Sequence, residues 1–127
     1  VIHTHSTHLV ALSLAGVWQP ERVLPPITPY YLMKVGPVPQ IPYHRPGDPA
    51  AAALVAQAIE QARAAGRPLR AVLMERLGPN VWEASPAAAM AVLEELEETT
   101  RLWLMCRPAP LDEARIEELR QHFGARW

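Results

Sequence analysis

Proline placement constrains this chain more than any other feature. The sequence has 127 residues, of which fourteen are proline, and these cluster between positions 20 and 49. Each proline fixes φ and removes a backbone donor. The stretch therefore cannot be one long helix, and it is expected to form turns and short extended pieces. Two prolines have a different use. Asp48-Pro49 and Ser85-Pro86 each place a capping oxygen before a first-turn proline, which is a helix start. The alanine-rich segments that follow both pairs favour helix.

These markers organise the rest of the chain. Residues 1–5 read as a strand end. Ser6 caps a helix over residues 7–15 that stops at Gly16, with Val10, Leu14 and Val17 expected on its buried side. Residues 24–31 form a rigid loop, and 32–35 and 38–43 read as short strands around Gly36-Pro37. The helix begun at Asp48 runs to about Ala65 and ends at Gly66, with Leu54, Val55, Ala58, Ile59 and Ala62 as its inner stripe. A buried strand is expected over 69–74, a turn at Gly78-Pro79-Asn80 and a short strand over 81–83. The helix opened by Ser85 is the longest and runs to about Cys106. Ala89, Leu93, Leu96, Thr100 and Trp103 face inward, and Glu94, Glu95, Glu97 and Glu98 form a solvated face. A last helix covers about 112–123 and stops at Gly124. Strands alternating with helices predict one layered α/β domain over 1–127. The strands are too few for a complete sheet, so part of the domain is expected to lie before Val1.

Composition narrows the partners. Half of the residues are hydrophobic and the net charge is −1. A basic surplus able to neutralise a phosphate backbone is lacking, so nucleic acid is not expected. The apolar run over 9–18 is too short to cross a membrane, which takes about 20 residues, and no charged segment precedes it as in a leader. The single cysteine, Cys106, cannot form an internal disulfide, which fits the cytoplasm. Its apolar helix end suggests core filling.

Few residues offer chemistry. His3 and His5 are two apart on a strand and so share a face. Two imidazoles are not a catalytic zinc site, which takes three protein ligands and a water. Spacing alone leaves the plainer reading, two polar residues at a strand rim, ahead. His8 is a surface residue of a first helical turn or a third ligand. His44 and His122 are expected in solvent. Tyr30 and Tyr31 follow Pro29 in the stiff loop, and a positioned phenol near a metal can donate a proton. At least one of the two is expected simply to pack. No nucleophile elbow, dinucleotide loop or P-loop occurs.

The order of several segments adds a resemblance. His3-Thr-His-Ser-Thr7, Leu24-Pro-Pro-Ile-Thr-Pro-Tyr30, Met33-Lys-Val-Gly36, Ile41-Pro-Tyr-His-Arg-Pro-Gly-Asp-Pro49 and Leu93-Glu-Glu-Leu-Glu-Glu-Thr99 together resemble the class II aldolase/adducin family. Within it the likeness is greatest to decarboxylases of 3-oxo-tetronate 4-phosphates. The resemblance implies a three-layer α/β/α fold of which this chain is the C-terminal portion, with Zn2+ or another divalent metal. It implies a phosphorylated sugar-acid or sugar substrate cleaved through an enediolate. His3 and His5 match the family's metal histidines, and Tyr30 matches the tyrosine of its Thr-Pro-Tyr segment, the expected proton donor. It further implies a homotetramer with sites between subunits, so that Tyr30 serves a neighbour's metal.

Two departures stand beside this likeness. The family's third metal histidine lies in a turn that here reads Arg76-Leu77-Gly78, and leucine cannot ligate. The family's catalytic glutamate and phosphate loops lie in a half that this chain does not contain. Three functions follow as alternatives. The first is a metal-dependent lyase on a sugar-acid phosphate. The second is a metal-poor binding or assembly module, and the third a pentulose-phosphate aldolase or epimerase.

Overall fold

A computed structural model describes residues 1–127. In chain order the elements are β1 (Ile2–His3), α1 (Thr7–Ala15), a π-helical turn (Tyr31–Val35), β2 (Gln40–Ile41), α2 (Pro49–Ala64), β3 (Ala71–Met74), β4 (Gly78–Val81), α3 (Pro86–Cys106) and α4 (Glu113–Phe123). The four strands form one sheet in the order β1-β4-β3-β2. β1–β4 and β3–β4 are antiparallel, and β2–β3 is parallel.

β3 shows how the layers arise. All four of its residues are buried, and side chains alternate between the two faces of a strand. Ala71 and Leu73 join the main core with Leu9, Leu12, Leu93 and Leu96 from α1 and α3. Val72 and Met74 join Ile41 in a smaller cluster against Leu54, Val55 and Ala58 of α2. Helices therefore cover both faces, which is the three-layer α/β/α arrangement expected from the sequence.

The proline-marked helix starts are where the sequence puts them. Asp48 accepts from the Ala50 N–H and Ser85 from the Ala88 N–H, each with proline in the first turn. Asp112 caps α4 through the Arg115 N–H, and Gly124 ends it in the left-handed region. The inner stripe of α2 is the expected one, but its residues are only half-buried.

Several expectations are corrected. The segment 32–35 is not a strand. It is a widened turn in which the Gly36 N–H reaches the Tyr31 carbonyl at 2.9 Å, wound so that Tyr31 enters the core edge-on to Trp127. Only Gln40–Ile41 of the 38–43 piece pairs as a strand. Gly78-Pro79-Asn80 does not turn but forms most of β4, and the reversal lies just before it, at 75–77. Proline is tolerated there because Leu73, opposite Pro79, sends its own N–H to Pro39 on the other side. The missing donor thus faces the short strand β1. On α1 the buried residues are Leu9, Leu12 and Ser13, and Leu14 is exposed. The inward face is thus turned toward Leu9, Leu12 and Ser13, while Val10 and Val17 are half-buried at its margin. Cys106 is exposed rather than core-filling, its thiol turned to the Leu102 carbonyl. No helix is long and apolar enough to cross a membrane.

Candidate functional site

The two histidines meet at the β1 edge of the sheet. His3 is the last paired residue of β1, opposite Asn80. His5 lies two residues on, beyond the end of the strand. The pairing is close because Gly78 has no side chain. A Cβ at Gly78 would stand 2.0 Å from the Thr4 carbonyl oxygen. The backbone of the histidine segment thus lies directly on β4, and the Thr4 N–H donates to the Pro79 carbonyl.

That same carbonyl orients His3. Its oxygen lies 3.0 Å from His3 Nδ1. A carbonyl can only accept, so Nδ1 carries the proton and Nε2 keeps a free lone pair. This is how metal-binding histidines are commonly held from behind. The His5 ring meets the His3 ring edge to face, with centroids 5.2 Å apart, and both residues are exposed. The expected sharing of one face is therefore observed, even though the strand ends between the two residues.

A third ligand does not join them. Beside His5 lies a cavity of about 300 Å³ lined by Thr7, Val10, Arg76 and Leu77. The side chain nearest in sequence to the expected third position is thus present, but it is the hydrocarbon of Leu77. Arg76 holds this turn in place, with positive φ (65°) and its N–H donated to Ser13 Oγ at 3.0 Å. The neighbouring carboxylate is directed elsewhere, since Glu75 accepts from the Tyr43 N–H at 2.8 Å. No group of three His, Cys, Asp or Glu side chains is placed to hold one ion.

His8 is committed to structure. Glu97 Oε1 accepts from the His8 backbone N–H at 2.9 Å and lies 2.7 Å from His8 Nδ1, while Oε2 accepts from the Leu9 N–H at 3.1 Å. One carboxylate from α3 therefore caps the first turn of α1, where orphan donors and the helix dipole favour an anion. The expected solvated role holds for Glu94 and Glu98, which are exposed, and not for Glu97. Sequence reasoning missed Glu97 because 89 positions separate it from His8 and no local pattern marks it. Ser6, the expected cap, makes no such bond.

The tyrosines divide as their positions allow. Tyr30 is 59% exposed at the start of the π turn, and Tyr31 is fully buried. The Tyr31 hydroxyl has no hydrogen-bond partner, and burial pushes its pKa well above the usual phenol range. Tyr30 does not line the cavity beside His5. His44 turns its Nδ1 to the Pro42 carbonyl, and His122 is exposed on α4. Neither belongs to the site.

The chain is similar to known proteins in sequence and in fold. The domain family described as the class II aldolase and adducin N-terminal domain matches residues 1–104. A 3-oxo-tetronate 4-phosphate decarboxylase of Cupriavidus necator is 58% identical, with the match covering all of this chain and 58% of that protein. A protein of the same name from Escherichia coli K12 is 37% identical over 94% of this chain and 55% of its own length. Among solved structures, YgbL of Escherichia coli, described as a putative aldolase/epimerase/decarboxylase, superposes with a TM-score of 0.74 at 38% identity. YgbL of Klebsiella pneumoniae gives 0.75 at 41%. Each of these matches covers 93% of this chain and 55% of the solved one. The chain thus spans about half the length of the curated relatives it matches.

Proposed function

This chain belongs to the class II aldolase and adducin family, and on that premise we propose that it serves a divalent-metal-dependent carbon–carbon lyase that decarboxylates a phosphorylated 3-oxo sugar acid. The observation that carries the reading is the orientation of His3. With Nδ1 bound to Pro79, its free Nε2 and the adjacent His5 ring offer two imidazole donors on one exposed edge. The likeness to a 3-oxo-tetronate 4-phosphate decarboxylase at 58% identity supports the substrate class.

His3 and His5 would hold the ion. When bound, it would supply Lewis-acid stabilisation of the negative charge left on the substrate oxygens as the bond breaks. The third ligand has to come from outside the set present here, because Leu77 fills that position. Tyr30 is the proton donor in this reading. Its exposure on the far end of the loop suits service to the site of a neighbouring subunit, so the assembly is a homo-oligomer with shared sites. The single exposed thiol agrees with a cytoplasmic setting.

Leu77 also favours a second reading, a metal-poor family member that binds or assembles without catalysis. Elemental analysis of the full chain, purified without chelator, together with carbon dioxide release from 3-oxo-tetronate 4-phosphate, separates the two. The lyase reading expects stoichiometric divalent metal and product. Metal-free protein with no turnover refutes it and leaves the second reading. Metal with cleavage but no carbon dioxide points instead to an aldolase or epimerase.

A further inference from the structure

The sheet has a second opening, far from the histidines. The histidine pair lies on β1, and β2 is the opposite edge of the four-strand order. At about 4.8 Å per strand spacing, three spacings separate the two edges by roughly 14 Å. Beyond β2 a cavity of about 450 Å³ lies between α2 and the proline-rich loop. That volume suits a small metabolite.

Two of its lining residues are arginines without a carboxylate partner. The short ion pairs of the chain are made elsewhere, at Arg63, Arg70, Arg101, Arg115, Arg120 and His8. Arg22 and Arg67 make none, although both line this cavity. Arg22 is half-buried, and its guanidinium is stacked 4.6 Å from the centre of the Trp127 ring. Stacking fixes its plane and leaves its edge for hydrogen bonding. Burial, and next the charge of Arg67, hold the Arg22 pKa below its ordinary value. The two cations therefore repel each other; Glu113 opposes this from a distance, but no carboxylate pairs with either of them. Glu21 also lines the cavity but forms no ion pair with either arginine. The amides of Gln40, Gln57 and Gln61 complete the polar lining.

We propose that this cavity binds a small hydroxylated metabolite carrying a phosphate or carboxylate, its oxyanion held between Arg22 and Arg67 and its hydroxyls met by the glutamine amides. Guanidinium groups match such oxyanions through paired N–H donors. Like charges brought together without a counter-ion favour binding of an anion, because binding relieves their repulsion. The site is separate from the histidine pair and needs no metal.

Calorimetric titration of the full chain with 3-phosphoglycerate and, separately, with inorganic phosphate tests this. Saturable binding is expected in the wild type and in H3A/H5A. In R22Q/R67Q the dissociation constant should rise about tenfold for each guanidinium removed. R67Q alone, at an exposed position, should weaken binding about tenfold while leaving the melting temperature unchanged, which separates loss of the site from loss of the fold. Binding by phosphate alone of equal affinity would show that the oxyanion carries the interaction, and a tighter 3-phosphoglycerate that the glutamines contribute. Absence of binding to the wild type, loss in H3A/H5A, or unchanged affinity in R67Q overturns the proposal.

Discussion

Replacing Gly78 with alanine tests whether one glycine seats the histidine segment. The new Cβ would stand 2.0 Å from the Thr4 carbonyl oxygen, where real Cβ contacts do not fall below 3.0 Å. The two backbones must separate by about 1 Å. The atom encountered is main chain, so no rotamer change can absorb the overlap. Gly78 also has φ +122°, where a residue with a side chain is strained by about 1–3 kcal/mol. Separation would weaken two bonds to the Pro79 carbonyl, from the Thr4 N–H and from His3 Nδ1, at about 1 kcal/mol each. Together these predict a loss of about 3–5 kcal/mol. For a domain of this size that corresponds to a fall in melting temperature of roughly 10–20 °C. Urea unfolding of the full chain measures the loss directly. Titration with Co2+ then reports the histidines, whose affinity for the ion should fall with the displaced strand. A loss below about 1 kcal/mol with unchanged Co2+ affinity would show that Gly78 does not seat the segment.

Three further substitutions address other parts of the structure. Tyr31→Phe removes a buried hydroxyl that has no partner, so it should stabilise the protein by about 1 kcal/mol; an equal loss in urea unfolding would reveal a bond that the hydroxyl does make. Because burial raises the Tyr31 pKa above its unfolded value, this phenol should leave wild-type stability independent of pH below about pH 10 and lower it as the pH rises beyond, where only the unfolded chain ionises, while the phenylalanine variant should not show that alkaline loss. Glu97→Ala leaves two N–H donors of the first turn of α1 and the His8 ring without their acceptor, a cost of about 2–3 kcal/mol. Hydrogen exchange should accelerate at His8 and Leu9 before the rest of α1, and unchanged rates there would refute the capping role. Leu77→His places an imidazole in the cavity that His5 lines, and it should tighten Co2+ binding at least tenfold with the absorption of a tetrahedral site. The same isotherm in Leu77→His and Leu77→Ala would show that position 77 cannot reach the ion.

The difference between what could be read along the chain and what could not lies in the range of the forces. Asp48-Pro49 and Ser85-Pro86 are visible because a cap and the donor it satisfies lie within three residues. The histidine pair was visible because the two residues are only two apart, and the rings meet even though the strand ends at His3. The π turn was not visible, because its winding depends on Tyr31 reaching Trp127, 96 positions later by number. β4 was hidden by its own composition. Gly-Pro-Asn is turn chemistry, and only the neighbours decide otherwise. Gly78 serves there to let Thr4 approach, and Pro79 serves through its carbonyl, which needs no N–H of its own. The site follows the same division. Its two donors are local, but Pro79, which holds His3, and Leu77, which borders His5, come from the neighbouring strand β4 and the turn before it, more than seventy positions along the chain. A metal-site reading from the His3-Thr-His5 spacing alone therefore concerns two ligands only. The turn between β3 and β4, where the resemblance implies a third histidine, carries Leu77 beside the cavity that His5 lines. Under the proposed lyase reading, a donor introduced at position 77 or supplied from outside these residues is what would turn the histidine pair into a working metal centre.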